Sequence, residues 1–296
     1  GSLAGGVICL IAFLFIEAKS ASPMVPLSLF RSRAFAGANL LTFFLYAAIG
    51  IFFFLLPLNL IQVQHYSATA AGGAILPMIL LIFLISRWSG GLVDQYGPRL
   101  PLIVGPLIVA LGFVLFSLPS TGGSYWTTFF PAVIVLGFGM AVSVSPLTTV
   151  VMGSIAQDRV GTASGINNAV ARVASLLAIA ILGVVMVSEF SAHLDHNLAF
   201  AAVPKNVRSE LESNATRLAG LRAPAGVGPL TAAVIESSIV ASFLFGFRLM
   251  MWICAALALA SAAVTWRMIQ GSTRPAVDSG ARNGTFVSSG NRARVQ

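Results

Sequence analysis

The length of its apolar runs constrains this sequence more than any other feature. A helix needs about 20 residues to cross a hydrocarbon core about 30 Å thick. Runs of that order recur at 35–63, 68–89, 99–118, 126–152, 161–187 and 240–266. A shorter run, GSLAGGVICLIAFLF, opens the chain, and residues 1–16 are expected to be the end of a truncated transmembrane helix. Such runs are too long for strands, and an open sheet edge finds no hydrogen-bond partner in lipid. Only 9% of the residues are charged and 57% are hydrophobic, whereas a soluble domain carries about 25% charged residues. The chain therefore has too little polar surface to live in water, and the expected class is an all-α integral membrane protein.

The basic residues sort by loop. Lys19, Arg31 and Arg33 lie in 17–34, Arg87 and Arg99 in 87–99, Arg159 in 153–160, and Arg267, Arg274, Arg282, Arg292 and Arg294 beyond the last run. Loops 64–67 and 119–125 have neither Lys nor Arg. Excess Lys and Arg mark cytoplasmic loops, so 17–34 is expected to be a cytoplasmic linker and 269–296, polar and without apolar periodicity, a disordered cytoplasmic tail. Parity makes 188–239 an external loop, although it carries Lys205, Arg208, Arg217 and Arg222. The net charge of +8 is spread over these loops with no basic helix or aromatic-interleaved patch, so membrane orientation is expected and nucleic acid is not. Cys9 and Cys254 each lie in an apolar run and read as small reduced core residues.

One short stretch, GGLVDQYGPR (90–99), places an acid, a base and three glycines between two apolar runs. Gly90 would let two helices approach closely, Asp94 would face the N-terminus of the next helix, and Gly97 would permit a turn that other residues resist. Arg99 would pair with Asp94 or hold the headgroup interface. A plain tight loop with a helix cap accounts for the same residues.

Gly90, Leu92, Asp94, Gly97 and Arg99 also resemble the signature loop of the major facilitator superfamily, G-x-L-x-D-R-x-G-R-R/K. Gln95 and Pro98 stand where that family prefers basic residues, as in the weaker copy of its C-terminal half. PMVPLSLFRSRAFAGANLLTFFLYAAIG (23–50) resembles the linker and first helix of the C-terminal domain in the fourteen-helix drug:proton antiporter branch. RVGTASGINNAVARVASLLAIAILG (159–183) resembles its penultimate helix, and the long external loop before the last helix is similar as well.

The resemblance implies a fold and a function. Residues 35–268 would be the six-helix C-terminal bundle of a major facilitator fold, preceded by the end of another helix and partnered by a missing N-terminal six-helix half. The activity implied is not enzymatic. It is proton-coupled efflux of drugs or other amphipathic small molecules by alternating access across the cell (inner) membrane, with the proton gradient as energy source and no cofactor. A dedicated exporter of one metabolite, and an inactive or scaffolding remnant, are the alternatives. The signature residues would serve gating. The spans contain no Asp or Glu at their centres: Asp94 and Asp158 lie in turns, and Glu189 and Glu236 at or beyond the external ends. Because coupling needs a titratable group within the membrane, the coupling acids are expected in the missing half.

Polar residues inside the runs supply the candidate substrate contacts. Ser164, Asn168, Arg172 and Ser175 recur at intervals of four, four and three, which puts them on one helical face. Arg172 either snorkels to the headgroups or faces the bundle and meets substrate or a partner acid. Asn39, Phe43, Tyr46, Gly50 and Phe53 share a second face that would wall a cavity or simply pack. Gly161 and Gly165 read as a small-residue helix contact. His193 and His196 in HLDH have metal-like spacing without a completing ligand cluster, so no metal is expected.

Overall fold

The computed structural model describes residues 26–269 except 202 and 225, together with isolated positions between 5 and 19. The expected helix at 1–16 and, apart from Ile269, the expected tail at 269–296 fall largely outside the described residues. The side chains of Leu27, Arg87 and Asp94 also fall outside them.

Six long helices carry the fold: α1 (Arg33–Leu58), α2 (Leu76–Tyr96), α3 (Arg99–Phe116), α4 (Phe130–Gly153), α5 (Val160–Phe200) and α6 (Pro229–Met268). All six contain stretches long and apolar enough to cross a membrane, and no strand occurs among the described residues. Each expected span is present, so the chain is a multi-pass membrane protein.

Arg31, Arg99 and Arg159 lie at one end of the bundle, called here the basic end. The Ser32 hydroxyl caps α1 there by accepting from the Phe35 N–H at 3.4 Å. The starts of α1 and α3 meet the close of α6 at this end. A Cβ on Gly37 would sit 2.8 Å from Met268 Cβ, and Arg99 Nη2 donates to the Trp266 carbonyl at 2.8 Å. A cation on the last carbonyls of a helix opposes its negative dipole end.

The packing order follows from small residues. Helix α4 packs on both α2 and α3, α3 on α6, and α6 on α1 and α5, while α1 and α5 run side by side. At the α3–α4 crossing a Cβ on Gly139 would sit 2.6 Å from Val109 N and 2.8 Å from the Gly105 carbonyl, and one on Gly112 would sit 2.9 Å from Leu136 Cα. A Cβ on Gly105 would collide with the Ser143 hydroxyl. Lipid tails are as apolar as leucine, so close backbone approach supplies the association that hydrophobic burial supplies in water. Gly161 and Gly165, expected to form such a contact, have nothing within 4 Å of a Cβ among the described residues.

The segment expected as an external loop, 188–239, is largely helical. Helices α5 and α6 run for 41 and 40 residues, about 60 Å each, roughly twice a bilayer core. Their ends form a cap with the helix Lys205–Ser213 and the turn Ala215–Gly220. Leu194, Leu198, Val207, Leu211 and Ile235 are buried in it, and Arg208 pairs with Asp195 at 3.2 Å. The charges that conflicted with the loop rule thus decorate a folded cap. His193 bridges α5 to α6, its Nδ1 3.3 Å from Ser242 Oγ and its ring stacked on Phe245 at 4.5 Å.

Candidate functional site

The candidate residues of the turn lie mostly within a helix. Gly90, Leu92 and Asp94 belong to α2, which continues to Tyr96, and Arg99 begins α3, so the turn is only Gly97 and Pro98. The turn expected over 90–99 is thus shorter, because Gly90 and Gly91 are held in α2. Gly97 has φ +72°, the backbone region that glycine occupies without strain. A Cβ on Gly90 would meet Ser145 Oγ at 3.5 Å, an ordinary contact, so the tight crossing expected there sits instead between α3 and α4. Arg99 reaches the end of α6, which ties the turn to the last helix.

The second group of candidates centres on the α1–α5 pair. These helices run in the same direction and in step. Asn167 Nδ2 donates to Asn39 Oδ1 at 3.2 Å and to Thr42 Oγ1 at 2.7 Å. Two turns further along, the Ser175 hydroxyl donates to the Tyr46 carbonyl at 2.9 Å, and a Cβ on Gly50 would sit 2.7 Å from Ser175 Cα. Asn39 Nδ2 also donates to the Phe35 carbonyl, and Thr42 Oγ1 to that of Ala38. Each polar group therefore has a partner. Asn39 is only 3% exposed, so it stands in this seam and not on an open wall.

Asn167 and Thr42 are the seam residues that sequence reasoning missed. The four-four-three rule selected a stripe that shares only Ser175 with the seam and takes Asn168 in place of its neighbour Asn167. The signal that finds the seam is the run of small residues Ala163, Ala171, Ala174 and Ala178 around Asn167, two helical turns of which must approach α1. We expect alanine at Asn39 and Asn167 to be non-additive, with a coupling of about 0.6–1.7 kcal/mol in a double-mutant cycle of thermal unfolding. Additive losses would mean that the two amides do not act together.

The remaining candidates face outward from this seam. Ser164 is half-buried, Asn168 and Arg172 are exposed, and the Asn168 amide donates to the Ser164 carbonyl at 3.0 Å. Arg172 lies twelve residues beyond Val160, the start of α5, about 18 Å along the axis. Phe43 and Tyr46 are half-buried on α1. Between α1, α2 and α4 lies a cavity of about 920 Å³ walled by Ile49, Phe53, Ile82, Phe83, Trp88 and Met140. Its walls are apolar and aromatic, the character of small-molecule sites.

The distribution of exposure sets this side apart. In α2 and α5, 17% of the apolar stretch is buried, against 50–61% in the other four helices. Helix α2 rests chiefly on α4, and α5 on α1 and α6. Arg172 and Asn168 lie on one of these open helices, and Phe83 and Trp88 on the other.

Comparison with known proteins gives the arrangement a context. Residues 2–179 match the Major Facilitator Superfamily. The chain is 32% identical over 204 residues to the multidrug resistance protein Stp of Mycobacterium tuberculosis, covering 66% of this chain and 36% of that protein. It is 29% identical over 268 residues to the tetracenomycin C resistance and export protein of Streptomyces glaucescens, covering 89% of this chain and 49% of that protein. It is 31% identical over 166 residues to the lincomycin resistance protein of Streptomyces lincolnensis, covering 56% of this chain and 34% of that protein. The chain spans about half, or less, of the length of these curated relatives. The family match covers more than half of this chain of six apolar helices, which makes it a member of the Major Facilitator Superfamily.

Proposed function

We propose that this chain forms the second six-helix half of a fourteen-helix, proton-driven exporter of drugs or amphipathic small molecules. It would work by alternating access in the cell membrane, with the basic end in the cytoplasm. The observation that carries the reading is the pair of weakly buried helices, α2 and α5. They bring a mid-helix arginine and an apolar cavity to the part of the bundle with fewest internal contacts. Export-related names among the relatives and a chain about half their length support the same picture. In this picture the opposing half covers α2 and α5 and supplies the coupling acid, and facilitators handle substrate between two such halves. A second reading, export of a single compound, draws support from the tetracenomycin and lincomycin relatives.

Arg172 tests the reading. A charge at mid-membrane costs about 2.5–3.5 kcal/mol on insertion scales, so it persists where it meets a partner or substrate. In the full-length transporter, Arg172→Gln is expected to leave membrane levels unchanged and lower export by roughly tenfold or more, equivalent to about 1.4 kcal/mol. Arg172→Lys should fall between the two. Export at the parental rate per inserted molecule would place Arg172 at the lipid headgroups instead.

A further inference from the structure

The sequence from Arg33 to Ser188 holds only two acids, Asp94 and Asp158, and both lie at the basic end. Helices α1, α3 and α4 contain none, and the first acid of α5 is Glu189, far beyond the Ser175 contact with α1. Basic residues are distributed differently, and one of them stands well inside the membrane.

Two arginines mark the membrane that α3 crosses. Arg99 at its start donates to the Trp266 carbonyl at 2.8 Å, and Arg248 of α6 donates to the Pro119 carbonyl at 3.2 Å just past its other end. The 18 residues of α3 rise about 27 Å, close to a bilayer core of about 30 Å. Arg172, about 18 Å along α5 from the basic end, lies within those bounds and is exposed.

Helical register also turns Arg172 toward the cavity. Successive residues advance by about 100° around a helix. On α1, Ile49 and Phe53 are turned one way from the seam positions Asn39, Thr42 and Gly50. On α5, Asn168 and Arg172 are turned the opposite way from Asn167 and Ser175. The two helices run in the same direction, so opposite turns reach the same side of the seam. That side holds the cavity of about 920 Å³ walled by Phe53, Phe83 and Trp88, with no charged side chain among its described walls.

A cation in apolar surroundings calls for an anion. Guanidinium binds carboxylate through two parallel hydrogen bonds, and the pair strengthens where water is excluded. An ammonium group would instead meet Arg172 as a like charge and find no carboxylate on this side. We propose that this half selects aromatic amphipaths that carry an acidic group, with the carboxylate on Arg172 and the rings on Phe83 and Trp88. The opposing half partners Arg172 by closing over the bound anion and keeping water from it. Transport of that anion rests on the export reading, whereas its binding does not.

Three probes with one ring system test the site: 1-pyrenebutyrate, its amide and 4-(1-pyrenyl)butylammonium. Their affinities for the purified full-length protein in nanodiscs of zwitterionic lipid are measured by equilibrium dialysis, with empty discs as the blank. The parental protein is expected to bind the anion at least tenfold more tightly than the amide, the order of one hydrogen bond to a charged group. The ammonium should bind most weakly. Arg172→Gln should bring the anion down to the level of the amide and leave the amide unchanged, and Arg172→Lys should keep part of the preference. Trp88→Ala should weaken all three probes alike. Parental binding of the ammonium as tight as that of the anion would overturn the proposal without recourse to any variant. So would an anion preference that survives Arg172→Gln, equal weakening of all three probes by Arg172→Gln, or unchanged affinities in Trp88→Ala. Efflux of the same probes from proteoliposomes separates binding from export. Anion preference in binding without gradient-driven efflux would uphold the anion site and refute export, whereas efflux favouring the ammonium would uphold export and overturn the anion site.

Discussion

Replacing Gly139 with leucine is expected to prevent the six-helix bundle from assembling. The first atom of the new side chain would already stand 2.6 Å from Val109 N and 2.8 Å from the Gly105 carbonyl. Both obstacles are backbone, so no rotamer change makes room. Overpacking a core against movable side chains typically costs about 1–3 kcal/mol. Here α3 and α4 would have to separate, and the Gly105–Ser143 and Gly112–Leu136 contacts would be lost with them. Because α4 also carries α2, and α3 also packs on α6, the damage would spread beyond the crossing.

The measurement is the fraction of inserted protein that elutes as a single species after mild solubilisation. Gly139→Leu should reduce it by most of its parental value. Gly161→Leu and Gly165→Leu, where a Cβ meets nothing within 4 Å, should leave the isolated bundle intact. Equal losses in all three would show that helix propensity or insertion, and not the crossing, sets the effect.

The contrast among these glycines shows what the sequence could and could not reveal. Apolar run length placed all six spans, because bilayer thickness dictates it and side-chain identity hardly matters. Gly97 was legible too, since its position after an apolar run and before proline marks a helix end. Which face of each helix points inward was much less legible. In water, polarity separates the buried face from the exposed one. In lipid both sides are apolar, so the neighbouring residues Asn167 and Asn168 look alike until α1 is in place. The first is half-buried and bonded to Asn39 and Thr42, and the second is exposed.

Local pattern misled in a similar way at both ends of the bundle. The glycines of 90–99 suggested a loop, yet α2 continues through Gly90 and Gly91 to Tyr96. The charged segment 188–239 suggested an external loop, yet long-range burial of Leu194, Leu211 and Ile235 folds it into a cap. Of the signature residues, Arg99 gains its partner, the Trp266 carbonyl, from 167 residues away, a separation that no local motif encodes.

Transport is expected of this bundle only together with an opposing half. Alone, residues 1–296 should insert and pack, because the α3–α4 crossing and the α1–α5 seam are internal to them. They should not move substrate, because α2 and α5 would face lipid and the spans carry no central acid. Arg172 would then be left without the partner that the second half is proposed to supply. The direct measurement is dye efflux from proteoliposomes under an imposed proton gradient, with equal amounts of the full-length protein and of residues 1–296. Gradient-dependent efflux is expected from the full-length protein, and only the leak of empty liposomes from residues 1–296. Gradient-dependent efflux by residues 1–296 alone would contradict it.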